Sequence, residues 1–340
     1  MRFYRFIDWA TQAYLATVAL IVLGAVALRS SVPSFWVYIV GAHLVAMAGL
    51  HAVVHFGSAP KAPEFLRFLR EFYPILLYTG FYRETEWVNR ILGLPRMDEQ
   101  LIRLEHLIYQ LQPSVLLMDR YPQVWLSELL YASYFSYYLM IGGMGLYLLL
   151  KRPPIFRHFV AVVSFVFYVC YLVYMFVPVV GPRLFYQRGP ERRLFSTLYG
   201  FMPPDVPQSV QSGVFFSIMG WIYKNFEAAS AAFPSSHVAI AITTAWFSWQ
   251  YFWHVRWYHA TAVALLCVST VYCRYHYSID VPAGILFAAV LIPLGNKLYW
   301  RWDRPVPVYP KAVEVDHMKT AVIRRQNLEK TGALVRPKIR

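Results

Sequence analysis

Arg274-Tyr275-His276-Tyr277-Ser278-Ile279-Asp280 runs directly into Val281–Tyr299, an apolar stretch whose only strongly polar residues are Asn296 and Lys297. The second part has the length that crosses the hydrocarbon core of a bilayer as a helix, about 20 residues. The first part sets an imidazole and a carboxylate at i, i+4, so on a helical turn Asp280 accepts a hydrogen bond from one ring nitrogen of His276. Such a bond fixes the tautomer and leaves the other nitrogen to act as nucleophile or base. A reactive pair and a membrane span therefore share one boundary.

The apolar pattern recurs along the chain. Of 340 residues, 58% are hydrophobic and 18% aromatic, and only 15% are charged. A soluble domain carries about 25% charge. Seven spans are expected, at about 11–29, 35–56, 127–150, 158–179, 237–253, 257–273 and 281–299. The fold class is all-α, a polytopic transmembrane bundle with interfacial amphipathic helices. Its expected parts are an extra amino-terminal span in 1–34, a membrane-embedded catalytic core in 35–300 and a basic, unpacked cytoplasmic tail in 301–340. That tail holds ten Lys or Arg against four acids. Residues 72–81 are apolar but read as too short to cross, and Pro74 and Gly80 interrupt them. From Met97 to Leu111, the residues Leu101, Leu104, Ile108 and Leu111 share a helical face, with Asp98, Glu99, Arg103 and Glu105 elsewhere. That pattern fits an interfacial helix or one packed on the bundle. A further interfacial helix is expected near 209–229.

The net charge of +14 reads as membrane topology rather than nucleic-acid binding, because the basic residues cluster between apolar blocks and in the tail. Lys151, Arg152, Arg157, Arg256 and the tail mark one side as cytoplasmic, and the stretch 57–126 is expected on the other. Seven spans conflict with this assignment at one point: they put the amino terminus outside despite Arg2 and Arg5. Cys170, Cys267 and Cys273 lie inside apolar segments, as small buried hydrophobes rather than a metal or disulfide set.

Three short segments fall at the non-cytoplasmic edge: Gly181-Pro182-Arg183, Phe233-Pro234-Ser235-Ser236-His237, and Arg274 to Asp280. His237 supplies a second imidazole, suited to protonating a leaving group. Arg183 and Arg274 offer planar donors for phosphate oxygens. Ser235 and Ser236 begin a helix, an anion-binding position. Together these residues describe a phosphoryl-transfer site. His55 and Glu128 are further candidates for lining the substrate, and Asp205 and Glu227 face the same side. His43, His51 and His55 lie near one face of the second span. The i, i+4 pair His51 and His55 has metal-ligand spacing, but further clusters of that kind are missing. No metal or other cofactor is expected.

The Pro-Ser-Ser-His and His-x-x-x-Asp pair, preceded by an arginine motif, resembles the type 2 phosphatidic acid phosphatase superfamily. The wording of all three segments is similar to its inositol-phosphorylceramide synthase branch. The resemblance covers about 181–284, and a six-span core from about 35 onward fits the same architecture. It implies that His276 attacks phosphorus to form a phosphohistidine, Asp280 orients it and His237 protonates the departing alcohol. It further implies that Arg183, Ser235 and Ser236 hold the phosphate, with Arg274 as a substitute donor, and that no metal is needed. The substrate it implies is a phospholipid or lipid phosphate in the bilayer, with water or a lipid hydroxyl as acceptor. Departures from the phosphatase pattern are plain. Phe176 stands where a lysine is usual, Pro182-Arg183 inverts the usual order, Ser236 replaces a glycine, and Ser269-Thr270 replaces Ser-Arg. Fewer cations suit a phosphodiester better than a phosphomonoester dianion, which favours a headgroup transferase over a phosphatase. A catalytically inactive lipid-binding protein and a transporter are the readings of another class.

Overall fold

The computed structural model of the chain describes residues 3–185, 191–226 and 230–303. Glu227 and the tail from 304 onward lie outside them. The described chain is a bundle of α-helices, opening with α1 (Phe6–Leu28), α2 (Trp36–Gly57) and α3 (Glu64–Leu92). Two shorter helices follow, α4 (Asp98–Tyr109) and α5 (Pro113–Arg120), then the long α6 (Val124–Lys151) and α7 (Pro153–Phe176). The loop region carries α8 (Pro182–Phe185), α9 (Glu191–Tyr199), α10 (Gln208–Gln211) and α11 (Val214–Phe226). The chain then makes α12 (Ser236–Tyr251), α13 (Arg256–Tyr272) and α14 (Asp280–Asp303).

Five helices, α1, α2, α6, α7 and α14, are long and apolar enough to cross a membrane. The expected spans at 237–253 and 257–273 are α12 and α13, which are 16 and 17 residues long. Helix α7 is the most enclosed, packed by α1, α3, α6, α12 and α14 in one continuous apolar core.

One expectation fails in an instructive way. The stretch 72–81 is part of α3, a single helix of 29 residues that passes through both Pro74 and Gly80. Pro74 costs one helical hydrogen bond, but Phe72, Ile75, Tyr78 and Phe81 pack into the main core. The polar residues of α3 find partners inside the bundle. Arg70 donates to Asp8 of α1 at 2.9 Å, and Tyr73 donates to the same carboxylate at 2.7 Å. Tyr14 donates to Glu84 at 2.8 Å. Asn89 donates to the carbonyls of Tyr174 and Met175. Losing one partner of the buried Arg70–Asp8 pair would cost about 3–5 kcal/mol.

These contacts run α3 alongside α1 through the bundle. Arg5 and Arg157 both bond Glu71, and the Phe6 amide donates to Asp303. The starts of α1, α3 and α7 therefore share one end with the finish of α14. At the other end Arg29 donates to the Ile91 carbonyl, beside the finish of α7. Arg5 lies at the same end of the bundle as Lys151, Arg152 and Arg157. The stretch 57–126 is consequently not all on one side: it starts at the Arg5 end and finishes at the opposite one.

Helix α4 forms as expected, with its apolar face turned out from the bundle as the interfacial reading has it. Leu104, Leu107 and Ile108 are exposed, and Asp98, Leu101, Ile102 and Glu105 are buried. An apolar face turned outward and an acidic face turned inward is the arrangement of a helix lying against lipid. The second interfacial helix appears as α11, which exposes Val214, Trp221 and Phe226.

Candidate active site

The three segments converge where α7 ends and α12 and α14 begin. The Ala232 amide donates to the Val179 carbonyl at 2.9 Å, and the Arg183 amide to the Arg274 carbonyl at 2.7 Å. The Ser235 amide donates to the Asp280 carbonyl at 3.2 Å. Two glycines permit this closeness. Gly181 has φ +91, and a Cβ there would lie 2.7 Å from the Tyr275 carbonyl oxygen. A Cβ on Gly284 would lie 2.6 Å from the Ser235 carbonyl oxygen. Tyr174 of α7 bridges within the second segment, donating to the Pro234 carbonyl and accepting from the Ser236 amide.

His276 is 3% exposed, with Nδ1 3.1 Å from Asp280 Oδ2. The same carboxylate oxygen accepts the Tyr277 amide at 2.9 Å. A proton on Nδ1 serves the carboxylate and leaves Nε2 with its lone pair. Ser235 Oγ lies 3.3 Å from Nε2 and accepts from the Val238 amide as the N-cap of α12. The imidazole of His237 has its ring centre 5.6 Å from that of His276 and is packed by Tyr134 and Tyr137. Ser236 and His237 line a cavity of about 500 Å³ between α3, α6, α7 and α11. Tyr138 and Phe226, exposed at the surface of the bundle, also line it. Ligand pockets commonly hold about 300–1,000 Å³.

The two predicted arginines meet in a different place. Arg183 and Arg274 line a smaller cavity of about 90 Å³ with Asp205. Arg183 sets its guanidinium 4.7 Å from the Tyr223 ring centre and 5.5 Å from that of Tyr275, which stack on each other. Tyr223 lines the larger cavity and Tyr275 the smaller, so this tyrosine pair adjoins both. Arg274 donates to the Pro204 carbonyl at 2.7 Å and has a left-handed backbone, φ 61. It is thus engaged in holding the loop.

Two further candidates sit elsewhere. His55 packs against Phe3, at the end of the bundle where α14 finishes, whereas Asp280 begins α14. A helix of that length separates them, about 35 Å at 1.5 Å per residue. Glu128 instead accepts the amides of Val214 and Phe215 and so caps α11. Its signal was hidden because the partners come 86 or more residues later. Of the other histidines, His51 bonds Tyr4 and His43 lies 3.3 Å from Glu84.

Sequence reasoning missed the role of α4. Asp98 accepts the amides of Val180 and Gly181 and the hydroxyl of Tyr277. Glu105 accepts both the amide and the hydroxyl of Ser278. One helix thereby ties the first segment to the third. Burial raises the Asp98 carboxyl above its usual range, against the hydrogen bonds from Val180 and Gly181. Burial likewise pushes Glu105 up to about 7, opposed by the bonds from Ser278. The seven-residue spacing of these two acids was visible and puts them on one helical face.

The site thus combines paired histidines, a carboxylate bonded to one of them and a cavity of lipid size within a helical bundle. The family model described as the PAP2 superfamily matches residues 99–294, and the chain belongs to that superfamily. Membership supports a lipid phosphatase or phosphotransferase kind of activity on lipid phosphates in a membrane. No curated protein and no solved structure matches the chain.

Proposed function

We propose that this protein transfers the phospho-headgroup of a phospholipid to a lipid hydroxyl, in the manner of an inositol-phosphorylceramide synthase, through a phosphohistidine on His276. The observation that carries the reading is the His276 geometry: Nδ1 at 3.1 Å from Asp280, and Nε2 turned toward Ser235 beside His237. In the first half-reaction Nε2 attacks phosphorus, the bond from phosphorus to the leaving lipid oxygen breaks, and protonated His237 gives that oxygen its proton. In the second, His237 takes the proton of the acceptor hydroxyl, whose oxygen attacks phosphorus as the phosphorus–nitrogen bond breaks. Asp280 holds the imidazole and offsets the charge it gains. Ser235, Ser236 and Arg183 steady the phosphate, and Arg274 keeps the loop around it. The long apolar cavity leading to Ser236 and His237 supports a lipid at each step. The same two steps on a lipid phosphate monoester, with water as acceptor, would make the enzyme a phosphatase.

In this reading the site faces the non-cytoplasmic side and the tail is cytoplasmic. Support comes from Arg5, Lys151, Arg152 and Arg157, which gather at the end opposite His276. The unbroken set of His237, His276 and Asp280 speaks against an inactive lipid binder.

The test incubates purified protein with a headgroup-labelled phospholipid, with and without ceramide or diacylglycerol, beside His276→Ala. Headgroup transfer that requires the acceptor, with an acid-labile label on the wild-type protein alone, is the expected result. Release of free phosphate from a lipid phosphate monoester run alongside, irrespective of acceptor, would instead establish a phosphatase. Equal inertness of both proteins across acceptors would overturn the catalytic reading.

A further inference from the structure

A second cavity of about 560 Å³ lies between α1, α2 and α3. It shares a wall with the first. Helix α3 presents Tyr78, Thr79 and Tyr82 to the cavity ending at His237, and Leu77, Gly80, Phe81 and Glu84 to the second one. Tyr38 and Trp87, both exposed on the bundle surface, line its outer part. All three helices precede residue 99, so the cavity is built outside the part of the chain that the superfamily model covers.

Most of the wall is apolar, but His43 and Glu84 line it too, 4% and 8% exposed. Arg90, in the last turn of α3, also lines it while paired with Glu86. His43 Nδ1 donates to the Ile39 carbonyl at 2.8 Å, so Nε2 is the nitrogen left to face Glu84, 3.3 Å from Oε2. Glu84 Oε1 is taken by the Tyr14 hydroxyl. Ionisable groups at membrane depth are costly and normally face a functional cavity. His43 is seven residues into α2 and Glu84 eight residues from the end of α3. Both therefore sit about 10 Å below the helix ends, deeper than a phosphorylated headgroup would follow.

We propose that this cavity is a second lipid site, separate from the reaction centre, which holds an uncharged lipid alcohol with its hydroxyl bonded to the His43–Glu84 pair. A hydroxyl donates, and the Nε2 lone pair and the Glu84 carboxylate oxygen both accept. A phosphate brings only acceptors and a charge that the carboxylate repels. The site does not depend on the catalytic reading, since no residue of it belongs to the proposed machinery.

Photolabelling tests this directly on the full chain in nanodiscs. The probe is a long-chain alcohol bearing a diazirine in its chain, and the control is the same chain ending in a phosphate monoester. The alcohol should label residues 35–46 and 77–90 several-fold more than the phosphate ester does. Gly80→Phe should abolish that labelling, because a Cβ at Gly80 meets nothing within 4 Å and the ring would occupy the cavity. Glu84→Gln should reduce it several-fold. Unchanged labelling at Ile141 of the first cavity and an unchanged thermal midpoint show that Gly80→Phe is folded. His276→Ala should label like the wild type, which separates this result from the fate of the catalytic proposal. Equal labelling by both probes, labelling that survives Gly80→Phe, or none at all would overturn it.

Discussion

The two cavities flanking α3 have similar volumes and similar apolar walls, and each contains a histidine. They differ in what surrounds that histidine. His237 has a second imidazole 5.6 Å away, centre to centre, with Asp280 behind it and serine-capped α12 beside it. His43 has one carboxylate, itself held by a tyrosine, and no second imidazole among the residues lining its cavity. A cavity with a histidine is thus not yet a reaction centre. In the proposed two-step transfer one imidazole forms a bond and another moves a proton, and of these two cavities the first alone has a second imidazole beside its histidine.

The most severe challenge to that contrast is removal of the proposed nucleophile. His276→Ala should lower turnover by on the order of 10⁴-fold or more, and adding His237→Ala should lower it little further, as for residues that act as a unit. His237→Ala alone should cost about 10²–10⁴-fold. His43→Ala, measured per folded protein in the same assay, should leave turnover nearly unchanged, because His43 bonds Ile39 and faces Glu84 rather than any group of the proposed reaction centre. A large loss there would erase the distinction between the cavities.

Next in size is the hold of α4 on the site. Asp98→Ala frees the amides of Val180 and Gly181 and the Tyr277 hydroxyl together. Misplacement of catalytic groups by about 1 Å costs about 10²-fold, and a loss of that order in kcat with KM nearly unchanged is expected. Glu105 adds a pH signature. Its folded-state pKa of about 7 lies above the ordinary 4.5, so the folded protein holds the proton more tightly than the unfolded chain does. Its contribution to stability is complete below pH 4.5 and is lost as pH rises through about 7. Thermal midpoints should therefore fall from pH 5 to pH 8 more steeply in the wild type than in Glu105→Gln. Parallel profiles would show that Glu105 does not titrate in this range.

How much of this was legible in sequence follows from where the partners of each residue lie. His276 and Asp280 are four apart, so their bond could be written down at once, and the apolar runs gave the main helices. Helix α3 was illegible because hydropathy scores Arg70, Glu84 and Asn89 as solvated. Their partners Asp8, Tyr14 and the Tyr174 carbonyl lie 62 to 85 residues away. The two readings of α4 could not be told apart from its pattern for a solvent reason. The rule that apolar faces turn inward assumes water outside, and next to lipid the acids turn inward to find amide donors. Glu128 looked like a site residue because a carboxylate at a membrane edge is conspicuous, and its capping role appears only once α11 is in place. Replacing Glu128 with Ala should cost about 1 kcal/mol of stability.

The finest division of the two regions is a single peptide bond of α3. Thr79 lines the first cavity and Gly80 the second, and both are exposed. Successive residues on a helix point about 100° apart, so Thr79→Phe and Gly80→Phe put the same ring into different cavities from adjacent positions. Changes in helix propensity and in surface hydrophobicity are shared by the two variants and drop out of the comparison. Thr79→Phe should raise KM for the lipid substrate about tenfold, the scale of a crowded apolar pocket. Gly80→Phe should leave it within about twofold. If both raise KM alike, the cavities communicate past α3, and the lipid alcohol site would then be an antechamber of the reaction centre. If Gly80→Phe alone changes kcat, occupancy of the second site acts on the first through the α3 wall.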